Sequence, residues 1–414
     1  MTFTQRVRPI ALRILFLLGV IGPGLITASA GNDAPGIATY SMAGSFYGYG
    51  LLWVLLWAAI GAVVLLEMAA RMGATTGKGL TELIRERFGV RVTFLITLGI
   101  LIANLGTTTA QFAGIAASAE LFGFTRHAIV PLVALAVWFL VLRGSYERVE
   151  RVLLFLTLYA VAYVITTFVV RPPWGEVLRQ VMVPSVRLEA DYLLALLATV
   201  GTTVTPWACA YMQASVADKG VTALEYPYTR FDVILGLMVS SLVAAFIVIC
   251  AAVTLFANGI RVETATQAAQ ALAPLAGSWA KQLFGIGLFG ASVLAASVLP
   301  LATTYAICEV FGWERGIDRE VGEAPIFYGL YTLLIVASSI VVLIPGIPLF
   351  PLMWLSQVLN AVLLPSVMIL MLRLANDPRI MKRQRNSPLT NVLATLLAVV
   401  ISAATFALLV DAVL

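Results

Sequence analysis

Gly31-Asn32-Asp33-Ala34-Pro35-Gly36 sets a carboxylate and an amide beside two glycines and a proline, inside an apolar run that starts near Ile10 and resumes at Ile37. Proline removes a backbone donor, glycine weakens a helix, and an ionisable side chain is expensive in hydrocarbon. At membrane depth such a stretch is tolerated where irregular backbone lines a cavity or a binding site. One Asp beside carbonyls released from a helix is chemistry for holding a cation, which makes Asp33 the leading candidate ligand.

A second interruption, Gly201-Thr202-Thr203-Val204-Thr205-Pro206-Trp207-Ala208, has the same character. The oxygen donors available are the Asp33 carboxylate, the Thr205 hydroxyl, the amides of Asn32, Gln357 and Asn360, and the backbone carbonyls around Ala30 and Thr202. Hard divalent ions take such ligands, whereas the sulfur and imidazole preferred by softer metals are scarce at both breaks. The sole histidine, His127, falls in a short loop and reads as an interfacial residue. A His-cluster metalloenzyme and a serine–histidine hydrolase are thereby excluded. No phosphate-binding glycine loop or nucleotide domain is present, so ATP is not expected to drive the protein, and no cofactor is implied beyond a transported divalent cation. The other interior acid, Glu67, has Arg71 four residues on and reads as half of an ion pair within one helix.

The elements that must carry these residues are membrane spans. Hydrophobic residues make up 61% of the 414-residue chain and charged residues 11%, against roughly 25% charged in soluble domains. About 20 residues cross the hydrocarbon. Eleven segments are long and apolar enough: 10–46 (broken), 51–72, 92–120, 128–143, 150–171, 190–216 (broken), 231–257, 282–308, 325–345, 350–374 and 389–413. A β-barrel, with short alternating strands, does not fit. The gaps 71–91, 171–189, 258–281 and 309–324 are too short to form a soluble domain, and the charged face of 81–88 predicts a surface helix between spans two and three. The breaks fall in span one and in span six. Interruptions at matching positions of two halves point to an inverted-repeat transporter. The chain then divides into 1–171 as first repeat, 190–374 as second repeat and 389–413 as an extra helix.

The net charge of +5 is a topology signal. With the N-terminus inside, only Arg126, Arg171, Arg179, Arg187, Arg261 and Lys281 of the 26 Lys and Arg fall on the outer side. This arrangement predicts a multi-pass protein of the inner (plasma) membrane, its N-terminus cytoplasmic and its C-terminus outside. No cleavable signal sequence is expected. Cys209, Cys250 and Cys308 lie in or at the ends of spans without pairing or metal spacing, so they read as small packing residues. The expected partners are the lipid bilayer and a divalent metal ion, with no nucleic acid and no obligate protein partner.

At the two breaks the sequence resembles the Nramp family of divalent-metal transporters. Gly22-Pro23-Gly24, Ala28-Ser29-Ala30 and Ile37-Ala38-Thr39 flank the first break as in that family. The likeness continues through 51–56, Ala69-Ala70-Arg71-Met72-Gly73, Thr76-Gly77-Lys78, Leu355-Ser356-Gln357, Leu364-Pro365 and Asn376-Asp377-Pro378-Arg379-Ile380-Met381. It implies an all-α integral membrane protein with eleven transmembrane helices, built as a leucine-transporter-like 5+5 inverted repeat with helices 1 and 6 broken.

The site positions depart from the family pattern. The family reads Asp-Pro-Gly-Asn in span one; here Asp33 is retained and Gly36 stands where the ligand Asn belongs. In span six Met-Pro-His becomes Thr205-Pro206-Trp207, and a second histidine aligns with Met212. The acids of an Asp-x-x-Glu pair in span three become Thr108 and Gln111, and no cation occurs in span nine. A thioether that selects transition metals and a line of proton acceptors are both gone. This pattern is similar to the Nramp-related magnesium transporters, which are thought to work without proton coupling; plant Nramp-related aluminium transporters also carry threonine for the methionine. The resemblance implies import of Mg²⁺, with Mn²⁺ also carried. Asp33, the carbonyls of Ala30 and Thr202, the hydroxyl of Thr205 and Gln357 would form the shell, and Asn32 would stand in for the amide lost at Gly36. A proton-coupled Mn²⁺ or Fe²⁺ symporter working through Glu67, and an organic-solute symporter on the same fold with Trp207 stacking on its substrate, are the alternatives.

Overall fold

The computed structural model describes residues 32–142, 159–222, 225–316 and 319–413. Among them there is no strand. The principal helices are α1 (Ala34–Tyr47), α2 (Leu52–Thr76), α3 (Leu80–Leu121), α4 (Arg126–Leu142), α5 (Tyr159–Val170), α6 (Trp174–Met182), α7 (Ala190–Thr203), α8 (Pro206–Asp218), α9 (Tyr226–Thr254), α10 (Ala280–Phe311), α11 (Pro325–Leu343), α12 (Leu349–Asn376) and α13 (Pro388–Val413). Among the described residues eight helical stretches are long and apolar enough to cross a membrane, the α7–α8 pair counting as one. Helices α4 and α5 are shorter apolar helices, and α1 is the described half of span one. Each of the eleven expected segments is therefore represented by helix among the described residues, interrupted at the two sites of proline and glycine.

Local chemistry sets the interruptions. Pro206 opens α8, and a residue before proline is held out of the α region. Val204 (φ −126°, ψ 99°) and Thr205 (φ −104°, ψ 137°) are accordingly extended between α7 and α8. At the first break Asp33 is extended and caps α1, with Pro35 in the first turn, where a missing N–H is harmless. The helical run of α3 also bends at Gly89 (φ 80°, ψ 173°), a backbone that favours glycine. The bend separates the expected surface helix, 81–88, from the span that follows.

Helix α3 packs along α10 and α12, while α2 packs against α8 and α9. Between these two groups runs α1, touching α9, α7, α12 and α3. The apolar core is correspondingly split into two clusters, one around α1, α10 and α11 and one around α2, α7, α8 and α12. Both interruptions lie where the groups meet.

Candidate metal-binding site

Asp33 is buried at 5% exposure, and it is placed by two elements. As N-cap of α1, its Oδ1 accepts from the Gly36 N–H at 2.9 Å, while its backbone carbonyl accepts from the Ile37 N–H at 2.9 Å. From α3, Gln111 Nε2 donates to Asp33 Oδ2 at 2.5 Å, and Gln111 Oε1 accepts from the Ala34 N–H at 3.4 Å. The helix N-terminus favours the negative charge. An ionised carboxylate has about four lone-pair sites, so the bonds from Gly36 and Gln111 leave a free site on each oxygen. In the sequence Gln111 marks only a missing acid; in the structure it is the side chain that orients Asp33.

Gly36 acts on this carboxylate through its N–H. Asn32 turns its Nδ2 to α9, donating to the Ser240 carbonyl at 3.2 Å and to Ser240 Oγ at 3.0 Å. Ala30 lies outside the described residues. The Thr202 carbonyl is four residues before Pro206, which has no N–H to give it, so the helix leaves this oxygen free. Thr205 caps α8 without a side-chain hydrogen bond to it. Gln357 is held within α12: its Nε2 donates to Ser356 Oγ at 2.8 Å, and its Oε1 accepts from Asn360 Nδ2 at 3.3 Å. Its backbone carbonyl faces α7, where a Cβ on Gly201 would fall 1.9 Å from that oxygen.

A cavity of about 20 Å³ lies at the second break, lined by Thr202, Thr203, Thr205 and Trp207 together with Tyr40 of α1 and Ser240 and Ser241 of α9. Tyr40 Oη lies 3.0 Å from Thr203 Oγ1, whose own hydrogen goes to the Thr199 carbonyl at 2.7 Å, so the tyrosine donates. The contributions of Tyr40, Ser240 and Ser241 were not visible in the sequence, because neither α1 beyond its cap nor α9 is interrupted there.

The remaining candidates separate cleanly. Along α3, Asn104 donates to Thr303 Oγ1 at 2.8 Å and Thr107 accepts from Asn360 at 2.9 Å. Thr108 is buried beside them, so the row leading to Gln111 is polar and carries no titratable group. Glu67 lies 3.4 Å from Arg71, as its spacing predicted, and also 3.7 Å from Arg230, with the Tyr226 hydroxyl donating to it. His127 is exposed at the start of α4, and Met212 is buried in α8. Among the described residues no three His, Cys, Asp or Glu cluster as a metal site, so any cation at Asp33 relies on one carboxylate and neutral oxygens.

A helical bundle in which the capped start of α1, with the buried Asp33 carboxylate, packs beside the break between α7 and α8 is that of a leucine-transporter-like membrane transporter. Solved structures agree on the fold. A manganese transporter of Eremococcus coleocola, bound to an aromatic bis-isothiourea compound, superposes with a TM-score of 0.75 at 21% identity, covering 94% of this chain and 85% of that one. Mhp1, a nucleobase-cation-symport-1 family transporter, gives 0.57 at 16% identity over 94% and 91%. The chain belongs to the Nramp family: residues 24–411 match the model for natural resistance-associated macrophage protein-like proteins. The divalent metal cation transporter MntH of Bacillus subtilis is 28% identical over 406 residues, 95% of this chain and 92% of that protein. MntH of Erwinia tasmaniensis is 32% identical over 293 residues, 68% of this chain and 70% of that protein. As a member of this family the chain is a multi-pass divalent-metal-cation transporter and not an enzyme.

Proposed function

We propose that the protein imports Mg²⁺ across the plasma membrane, carries Mn²⁺ as well, and moves either ion without a coupled proton. The observation that carries this reading is the Asp33–Gln111 contact: the groups bonded to the lone carboxylate are an amide and a backbone N–H, and neither can take up or release a proton. Asn104, Thr107 and Thr108 continue the same neutral row along α3. Selectivity follows from the ligand types. Asp33, the freed Thr202 carbonyl, Thr205 and Gln357 offer hard oxygen, with the carbonyl of Ala30 as a further donor. Mg²⁺ prefers such ligands and gives up its water reluctantly. The small cavity beside Thr205 favours an ion over an amino acid or other organic solute, and Trp207 closes one wall of it.

In this reading 1–171 and 190–374 are the inverted repeats and 389–413 is appended. Helices α1, α2, α7, α8 and α9 rock against the rest. A wider cavity of about 740 Å³, reached from Met42 and Phe46 at the far end of α1 and carrying Glu120 and Glu263, serves as the outer vestibule. The N-terminus lies in the cytoplasm and the C-terminus outside, so the membrane potential drives cation entry. Two charges crossing 100 mV gain about 4.6 kcal/mol, at roughly 2.3 for each.

The test is uptake into proteoliposomes with Mg²⁺ and Mn²⁺ compared and the lumenal pH recorded. Saturable Mg²⁺ entry at constant lumenal pH is expected. Metal-driven acidification beyond the leak of protein-free liposomes would overturn uncoupled transport, and failure to take up Mg²⁺ would overturn the ion assignment.

A further inference from the structure

We infer that α9 completes the ion site: Ser240 and Ser241, together with the Trp207 indole N–H, hold a water molecule that belongs to the coordination shell of a hard divalent cation at Asp33. The inference rests on the Mg²⁺ reading above and assigns the part of the shell reached from α9.

Trp207 is 2% exposed, its Nε1–H has no hydrogen-bond partner among the described residues, and its ring lines the cavity at the second break. An orphaned buried donor loses its hydration without replacement and is costly. About 10–15 Å³ admits one water, which then needs two to four polar partners. The cavity volume of about 20 Å³ meets the first condition. The second is met by the Trp207 donor and by the hydroxyls of Thr205, Ser240 and Ser241. Tyr40 and Thr203 are already engaged with each other, which leaves the α9 serines as the receptive wall.

Asn32, the chain neighbour of Asp33, bonds Ser240 in the wall of the cavity. Its two contacts with Ser240, at 3.2 and 3.0 Å, fasten the residue next to Asp33 onto α9. Ser240 Oγ, which accepts from Asn32, still has a lone pair for a second donor. A metal-bound water placed here is fully satisfied. It gives one lone pair to the ion, accepts from Trp207 with the other, and donates both hydrogens to hydroxyl oxygens.

A cation that keeps its water needs this arrangement, and one that binds stripped does not. Mg²⁺ is of the first kind, while Cd²⁺ is soft and suited to direct contact. The α9 serines are therefore specificity-determining residues.

The experiment measures KM for Mg²⁺ and for Cd²⁺ in proteoliposomes containing wild type, Ser240→Ala, Ser241→Ala, Trp207→Phe or Ser240→Thr. In the three deletion variants the ratio of the Mg²⁺ KM to the Cd²⁺ KM should rise about fivefold, as for one lost hydrogen bond, and Ser240→Thr should restore it. Cd²⁺ uptake reports that each variant is folded, and a general packing defect would move both constants together. Wild type that transports Mg²⁺, with the ratio unchanged in all three deletion variants, overturns the water-shell assignment alone. Wild type that fails to transport Mg²⁺ overturns the proposed function and this inference with it.

Discussion

Gln111 Nε2 donates to Asp33 Oδ2 from a helix 78 residues further along the chain, and its Oε1 accepts from the first N–H of the helix that Asp33 caps. One neutral amide thus fixes both the carboxylate and the broken end of α1. Replacing it by an acid changes the chemistry with almost no change of shape. In Gln111→Glu two carboxyls share one place, and they ionise in two separated steps rather than together. Cation binding must then displace a proton, so the KM for Mg²⁺ should rise as pH falls through the upper step, more steeply than in wild type. Identical pH profiles for the two proteins would mean that Gln111 does not touch Asp33 in the transporting state.

Asp33 has two roles that one substitution can separate. Asparagine caps a helix nearly as well as aspartate, whereas alanine forfeits about 1 kcal/mol. Asp33→Asn should therefore keep its cap but melt slightly lower, because its Nδ2 would meet the Gln111 Nε2 donor, while uptake of both Mg²⁺ and Mn²⁺ drops to the level of protein-free liposomes. Asp33→Ala should lose uptake and be slightly less stable. Substantial transport by a well-folded Asp33→Asn protein would remove the carboxylate from the ion's path.

Gly201 lets α7 lie directly against the Gln357 carbonyl. A methyl group there would meet that oxygen at 1.9 Å and the Ala361 nitrogen at 2.8 Å, both backbone atoms that cannot rotate away. Gly201→Ala must push α7 and α12 apart, at a cost of about 3 kcal/mol, the upper end for overpacking. The expected result is a lowered melting temperature together with weaker Mg²⁺ binding, because the freed Thr202 carbonyl moves with α7.

The C-terminal end of α2 carries a structural lock. Arg71 donates to the carbonyls of Gln384 and Arg385 at 2.9 and 3.0 Å and to Asn386 Oδ1 at 2.6 Å, while pairing with Glu67. Arg71→Ala should cost about 3 kcal/mol in stability, the penalty for breaking a buried pair. Lysine should not restore it, lacking the guanidinium fork. Glu67 is pinned by Arg71, Arg230 and Tyr226, so Glu67→Gln should still import Mg²⁺ with unchanged lumenal pH. Loss of a metal-driven pH signal in that variant would instead make Glu67 the proton carrier.

What could be read from the sequence was local. Pro35, Pro206 and Asp33 announce the breaks through backbone chemistry, the run of apolar residues announces the spans, and Glu67 and Arg71 announce their pair by spacing alone. Gly89 was not singled out, yet the charged stretch before it was enough to place the surface helix. What escaped was contact between distant segments. Nothing in the periodicity of α9 marks Ser240 as the residue that meets Asn32, 208 positions away. Nor does it show that the Gln357 amide bonds to Ser356 and Asn360 within α12, leaving the backbone carbonyl to face α7. Gln111 was noticed for the acid it lacks, and only packing of α3 against α1 reveals what its amide does.

Thr205 tests the selectivity of the site directly. Its hydroxyl lines the cavity at the second break and makes no capping bond to α8, so it is free to meet an ion or the water of one. Oxygen of this kind suits a hard ion that stays hydrated, whereas a methionine sulfur must touch a largely stripped ion and favours Cd²⁺. Thr205→Met should shift preference from Mg²⁺ towards Cd²⁺, measured as competition of each against Mn²⁺ uptake. The side chain also fills the space assigned to the bound water, so the loss of Mg²⁺ should exceed the gain of Cd²⁺. Gly36 still offers no side-chain amide, and pairing Thr205→Met with Gly36→Asn should enlarge the shift. An unchanged competition ratio in active variants would place Thr205 away from the ion and confine the site to α1, α3 and α12.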